Sequence, residues 1–185
     1  MKPPLKKGYS NDFQTPPEAL EPLLPFLKKE WIIWECAEGK GNLTHALSQK
    51  GFKVVGSDIQ PERVAIINEG EQHFEEKNFL TWQPKKWNCV ITNPPFKYKQ
   101  EFLERCYQLG KPFALLLPLT TFETEKRQRL FRQYGVEVIF LPKRINFETP
   151  SGKGSGSWFA VAWFTWKLRI GKELVFFSSK NEKTK

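Results

Sequence analysis

The stretch Trp31–Asp58, WIIWECAEGKGNLTHALSQKGFKVVGSD, decides the fold. Trp31 to Glu35 is a short aromatic and β-branched run and reads as a buried strand. Glu38-Gly39-Lys40-Gly41 is a glycine-rich turn. Leu43, Ala46 and Leu47 then recur at helical spacing. Phe52 to Ser57 is a second strand, and Asp58 stands at its end. Strand, turn, helix and strand in that order build a parallel pair joined by a crossover helix.

The alternation continues outward. Pro61 suits the first turn of a helix carrying Val64, Ile66 and Ile67. Asn88 to Thr92 is a strand running into Asn93-Pro94-Pro95-Phe96. Phe102, Leu103, Cys106 and Leu109 share one helical face, and Gly110 ends that helix. Phe113 to Leu117 is a strand and Thr124 to Gln133 a basic helix. Val136 to Leu141 and Phe159 to Trp166 are two more strands, joined across the flexible connection Ser151–Ser157. The expected class is α/β: a mostly parallel sheet with helices on both faces and an antiparallel last strand. Ligands of such sheets sit outside the carboxyl ends of the strands. Glu35–Gly41, Asp58 and Asn93–Phe96 all fall there.

Composition narrows the function classes. The 185 residues are 26% charged and 39% hydrophobic, which fits a globular chain. Lys and Arg number 29 against 20 Asp and Glu, a formal charge of +9. That excess favours a polyanionic partner such as nucleic acid, and equally fits a merely basic soluble protein. Aromatic residues make up 15%, including 16 Phe and 7 Trp, and supply both core area and faces for base stacking. The longest apolar run, Phe113–Leu119, contains a proline and is far too short for a bilayer span. MKPPLKK has no hydrophobic stretch behind it, so no secretory signal is expected. Cys36, Cys89 and Cys106 are widely spaced and form no CxxC pair. They read as buried apolar residues in a reducing cytoplasm, with no membrane partner. His45 and His73 lack a second ligand at metal spacing, so no metal is expected.

Three features carry chemistry. Gly39 and Gly41 let a ligand approach the main chain, although a tight turn without a ligand reads the same way. Asp58, 17 residues after Gly41, can accept hydrogen bonds from ribose hydroxyls or simply cap a turn. Asn93-Pro94-Pro95-Phe96 is the sharpest. Its prolines stiffen the backbone and donate nothing. The Asn oxygen and the Pro94 carbonyl remain as acceptors for a planar exocyclic amine. Two acceptors favour the pyramidal, nucleophilic form of that amine, and Phe96 can stack on its ring. A Pro-Pro turn closing a strand is the structural alternative.

The ordered set of segments resembles the S-adenosylmethionine-dependent amino methyltransferases, specifically the small phage and orphan N6-adenine DNA methyltransferases. Asp12-Phe13-Gln14-Thr15-Pro16-Pro17 is similar to their N-terminal [FY]xTPP motif. Glu35–Gly41 resembles motif I, with Cys36 in place of the usual proline. Asp58 matches motif II, Asn78-Phe79-Leu80 resembles motif III, and Asn93–Phe96 matches motif IV. Arg144–Phe147 and Trp163–Trp166 look like later segments. The resemblance spans residues 11 to 167 and implies a Rossmann-like fold of seven strands.

It also implies roles. Phe13 and Thr15 would line the methionine end of S-adenosylmethionine, and Glu35 would face its amino group. Gly39 and Gly41 would lie against it, and Asp58 would hold its ribose. Asn78 would bind its adenine amine, with Phe79 beside that ring. Asn78 stands where the family usually has Asp, which removes a charge from that contact. Asn93 and Pro94 would hold the target amine, with Pro95 stiffening the turn. Phe96 would stack on the base and Phe147 would cover its other face. Lys97, Lys99 and Arg144 flank this site as phosphate contacts. Lys126–Arg132 reads as a solvated helix face or a further phosphate site.

The expected activity is methyl transfer to adenine N6 in DNA. Transfer to adenine N6 in RNA, or to a protein glutamine amide, uses the same motif. A catalytically silent nucleic-acid-binding or partner subunit is the non-enzymatic alternative. The expected organisation is a flexible basic segment at 1–10, one methyltransferase domain at 11–177 and a flexible tail at 178–185. That leaves no separate target-recognition domain, so specificity would come from loops, basic surface, a homodimer or a partner subunit.

Overall fold

The computed structural model describes residues 15–60, 74–149, 152–153, 159–171 and 174–176. Phe13, the expected helix around Val64, His73, both termini and most of Ser151–Ser157 lie outside the described residues.

Strands β1 (Ile32–Glu35), β2 (Lys53–Asp58), β3 (Phe74–Glu76), β4 (Cys89–Thr92), β5 (Phe113–Pro118) and β6 (Glu137–Phe140) join the central sheet. A short ribbon pairs β7 (Glu148–Thr149) with β8 (Gly152–Lys153), and β8 falls in the Ser151–Ser157 span read as a flexible connection. Strands β9 (Val161–Trp166) and β10 (Leu174–Phe176) complete the eight-stranded sheet, in the order β10-β6-β9-β5-β4-β1-β2-β3. Strand β9 runs antiparallel between β5 and β6, and every other pair is parallel.

The α/β class is as expected, with one strand beyond the seven. The antiparallel strand is not the last; β10 follows it and pairs parallel with β6 at the edge. Neither β10 nor β3 was anticipated, because three residues are too few to show a period.

Alternation along the strands explains the two cores. Ile33, Ile91, Leu116 and Trp163 point to one face with Leu43, Ala46 and Leu47 of helix α1 (Asn42–Gln49). Their neighbours Trp34, Val90, Leu115 and Phe164 point to the other. There they meet Phe102, Leu103 and Cys106 of helix α2 (Lys99–Leu109). Each buried Val, Leu, Ile or Phe among them contributes about 1.5–3 kcal/mol from removing apolar area from water. The buried indoles are satisfied: Trp34 Nε1 donates to Ser57 Oγ at 2.9 Å and Trp163 Nε1 to the Ala19 carbonyl at 2.7 Å. All three cysteines are buried thiols.

The basic helix α3 (Glu125–Tyr134) is less of a free cationic face than its sequence suggests. Arg127 is buried, and its Nε donates to the Thr121 carbonyl at 2.6 Å. Lys126 pairs with Glu104, and Arg129 and Arg132 both pair with Glu125. Among the described residues no helix is long and apolar enough to cross a membrane.

Candidate active site

The carboxyl ends of β1, β2 and β4 open onto one cavity of about 590 Å³. That size suits a small-molecule ligand. Parallel pairing brings Glu35, Asp58 and Asn93 together although they are far apart in sequence.

Glu35 closes β1 with its side chain 1% exposed. Its Oε1 accepts hydrogen bonds from the Ala37 N–H at 3.1 Å and from the Thr92 hydroxyl. Burial outweighs those bonds and raises its pKa to about 8. Gly39 and Gly41 both take positive φ, 58° and 79°, which lets the chain reverse into α1. Asp58 stiffens this loop from the next strand: its Oδ2 accepts the Gly39 N–H and its Oδ1 the Gln60 N–H, each at 2.9 Å.

Glu38 is a site residue that sequence reasoning passed over as part of the turn. It lines the cavity and is only 5% exposed. No hydrogen bond of good geometry reaches either carboxylate oxygen. Burial raises its pKa to about 7, tempered by the facing Thr44 hydroxyl. A methyl group built on Gly56 would collide with this carboxylate, so Gly56 is the cradle that admits it. The usable signal was an acidic side chain inside a glycine turn, opposite a glycine in the next strand.

Thr15 lines the cavity and is buried. Asn78 lines it too, and its Oδ1 accepts the Leu80 N–H at 2.9 Å. Phe79 is buried beneath, stacked on Phe102 at 4.6 Å and tilted against Trp34 at 5.1 Å. Asn93 is half-buried, with its Oδ1 enclosed in the wall. Pro95 begins the 3-10 turn Phe96–Tyr98, which carries Lys97 and Tyr98 to the rim. Ile59, Leu80 and Tyr98 also line the cavity, and they are three of the four exposed large hydrophobic residues among those described. That apolar rim was missed from sequence and suits a flat ring.

Gly41, Pro94, Phe96, Lys99, Arg144 and Phe147 do not line the cavity. Phe96 meets Phe147 edge-on at 6.3 Å and Phe159 at 5.4 Å, in one aromatic cluster beside the site. Phe147 is buried there, so no slot for a base opens between it and Phe96 in this arrangement. Lys99 Nζ donates to the Phe96 carbonyl at 3.2 Å, and burial and then Arg127 lower its pKa from the ordinary value.

Buried carboxylates at one end and an apolar rim at the other suit a ligand bearing both positive charge and a flat ring. The Glu35 carboxyl makes one prediction. Its folded pKa lies above the unfolded value of 4.5, so the folded state holds a proton that the unfolded state has lost. Stability without ligand is therefore expected to fall as pH rises from about 4.5 to about 8, then level off. Glu35→Gln should flatten that slope in urea midpoints. A wild-type slope of opposite sign would contradict a neutral buried Glu35.

No known family profile matches the chain, and no curated protein matches it. Solved structures do share its fold. A Pyrococcus horikoshii protein described as an RNA methyltransferase is 15% identical with a TM-score of 0.59, over 80% of this chain and 82% of that one. A Vibrio vulnificus protein described as a modification subunit of a type I restriction enzyme is 13% identical with a TM-score of 0.60, over 86% of this chain. This chain spans 45% of that subunit. The 23S rRNA methyltransferase ErmE is 16% identical with a TM-score of 0.58, over 82% of this chain and 65% of that one. At these identities the likeness is one of fold: a Rossmann-like methyltransferase fold.

Proposed function

We propose that this chain transfers a methyl group from S-adenosylmethionine to the N6 amine of adenine in DNA. The observation that carries the reading is the position of Asn93-Pro94-Pro95-Phe96. Where the segment leaves β4, Asn93 and Pro95 line the cavity together with Glu35 of the adjacent β1 and Asp58 of β2 beyond it.

S-adenosylmethionine, when bound, supplies an electrophilic methyl group on a positively charged sulfur. The residues present suit it. Glu35 and Glu38 offer carboxyl oxygens to its cationic groups, whose charge would favour the ionised form, and Asp58 offers an acceptor to ribose hydroxyls. Ile59, Leu80 and Phe79 offer apolar surface to an adenine ring. The Asn93 oxygen and the Pro94 carbonyl accept from the target amine and turn its lone pair toward the methyl carbon. A target base in a duplex must leave the stack, which costs a few kcal/mol. Tyr98, exposed at the rim, is the aromatic surface available to offset it.

The test is incubation of the full chain with methyl-labelled cofactor and single- or double-stranded DNA. The expected product is label on adenine N6. Label in RNA alone would favour the second reading, adenine N6 in RNA, which the RNA-modifying enzymes among the similar structures support. Label in neither would overturn both.

A further inference from the structure

The end of the sheet opposite the cavity carries a row of cations that the methyl-transfer reading leaves unused. Every parallel strand enters from this end, and antiparallel β9 leaves there. Lys50 and Lys53 stand at the start of β2, and Lys28 and Lys29 precede β1. Lys85 and Lys86 precede β4, and Lys111 precedes β5. Lys167 and Arg169 follow β9. All nine are exposed. In sheet order they run β2, β1, β4, β5, β9, a width of about 19 Å at the usual strand spacing.

Two observations separate this row from scattered surface lysines. First, it is built. Lys29 Nζ sits 4.4 Å from the Phe52 ring and donates to the Lys50 carbonyl at 2.7 Å. Lys111 Nζ sits 4.2 Å from the Trp87 ring and donates to the Trp87 carbonyl at 2.7 Å. Lys167 Nζ sits 4.1 Å from the Trp166 ring and donates to the Gly110 carbonyl at 3.1 Å. These contacts hold the ammonium groups in place with their charge unneutralised. Second, Lys167 and Arg169 both hold left-handed backbone, φ 58° and 59°, the non-glycine residues of the described chain that do so. That conformation is unfavourable for a residue with a side chain.

Among the described residues this charge is also unpaired. Among the described residues, the salt bridges lie on α2 and α3, and none involves this row. Described carboxylates at this end include Glu30, before β1, and Glu137, whose Oε1 accepts the Ile170 N–H at 3.3 Å.

We infer that this end is a second nucleic-acid contact that grips the phosphodiester backbone of DNA without reading sequence. A duplex carries a charge every ~1.7 Å along its axis, so a row of this width faces several phosphates. A membrane surface fits less well. Anchoring there needs protruding apolar groups. Among the described residues the exposed ones, Ile59, Leu80 and Tyr98, lie at the cavity, leaving Tyr134 at this end. The contact uses no cavity residue, and only the choice of DNA over RNA rests on the methyl-transfer reading.

The test is salt-dependent binding of the full chain to a short labelled duplex. The triple reversal Lys28→Glu, Lys85→Glu, Lys86→Glu touches none of the three carbonyl-pinned lysines. It should weaken binding at least tenfold at low salt. It should also make the log affinity against log salt slope shallower by about 2.7, the value for three phosphates. Lys85→Gln with Lys86→Gln should act in the same direction, less strongly. Cofactor binding and the melting transition should be unchanged. An unaltered slope would overturn the inference. So would an equal loss from Lys126→Glu, Arg129→Glu, Arg132→Glu on α3, since net charge alone would then explain the effect. Loss of binding to phosphatidylserine vesicles with DNA affinity intact would overturn it too. If cofactor binding is absent and the slope still falls, the methyl-transfer reading fails and this contact stands.

Discussion

Asn93→Ala is expected to lower the methyl-transfer rate by about 10²–10³-fold, the usual cost of deleting one oriented polar group at a reacting centre. Cofactor affinity should hold within about twofold, because the groups proposed for the cofactor sit on β1, β2 and the loop after β3. The physical reason is placement. Four fully buried residues of β4 lead directly to Asn93, and two prolines follow it. The side chain therefore leaves a rigid strand at a fixed angle, with a stiff turn behind it. Asn93→Asp keeps an acceptor of the same shape and should retain more activity than Asn93→Ala. Single-turnover rates with isothermal titration of the cofactor separate the two quantities. If Asn93→Ala lost cofactor affinity and kept its turnover rate, Asn93 would belong to the cofactor wall instead.

Glu38→Ala is expected to stabilise the protein while weakening the ligand. A buried polar group without good hydrogen bonds costs about 1–3 kcal/mol, and removing it returns that amount. The gain depends on pH in a definite sense. The folded pKa, about 7, lies above the unfolded 4.5, so the penalty grows as pH rises between them and is full above about 7. The gain from Glu38→Ala should thus be large at pH 8.5 and small at pH 5, read from urea midpoints. Under the proposed function, affinity for the cofactor with its sulfonium charge should fall at least tenfold above that pKa, and affinity for the product, whose thioether sulfur is uncharged, should fall less.

Gly56 supplies the cross-check. Gly56→Ala drives a methyl group into the Glu38 carboxylate, and overpacking of this kind costs about 1–3 kcal/mol. The double variant Glu38→Ala with Gly56→Ala should recover most of that loss. If Glu38→Ala were destabilising and Gly56→Ala harmless, the carboxylate would be held by bonds it does not show here.

Some of this protein is local in sequence. Trp31–Asp58 displays strand, turn, helix and strand because each period is visible within a few residues. The order of such units specifies a parallel sheet and the end at which ligands bind. The Asn93–Phe96 segment was likewise legible, since two prolines after a buried strand can only form a stiff exit. Phe74–Glu76 and Leu174–Phe176 were not legible. A three-residue strand exists because a neighbour offers it an edge, here β2 and β6.

The roles of individual charges were least legible of all. Arg127 reads as one more cation on a basic helix, and only packing against the Thr120–Thr121 carbonyls makes it a buried brace. Glu38 reads as a turn residue, and only Gly56 on the adjacent strand makes it a buried carboxylate. Lys29, Lys111 and Lys167 are scattered along the chain, and only the strand order aligns them at one end. Periodicity and turn chemistry are properties of neighbours in sequence, so the chain alone determined the fold class and the sharpest motif. Burial, charge compensation and cavity walls are properties of neighbours in space. Those the tertiary structure decided, because they depend on which strands lie side by side.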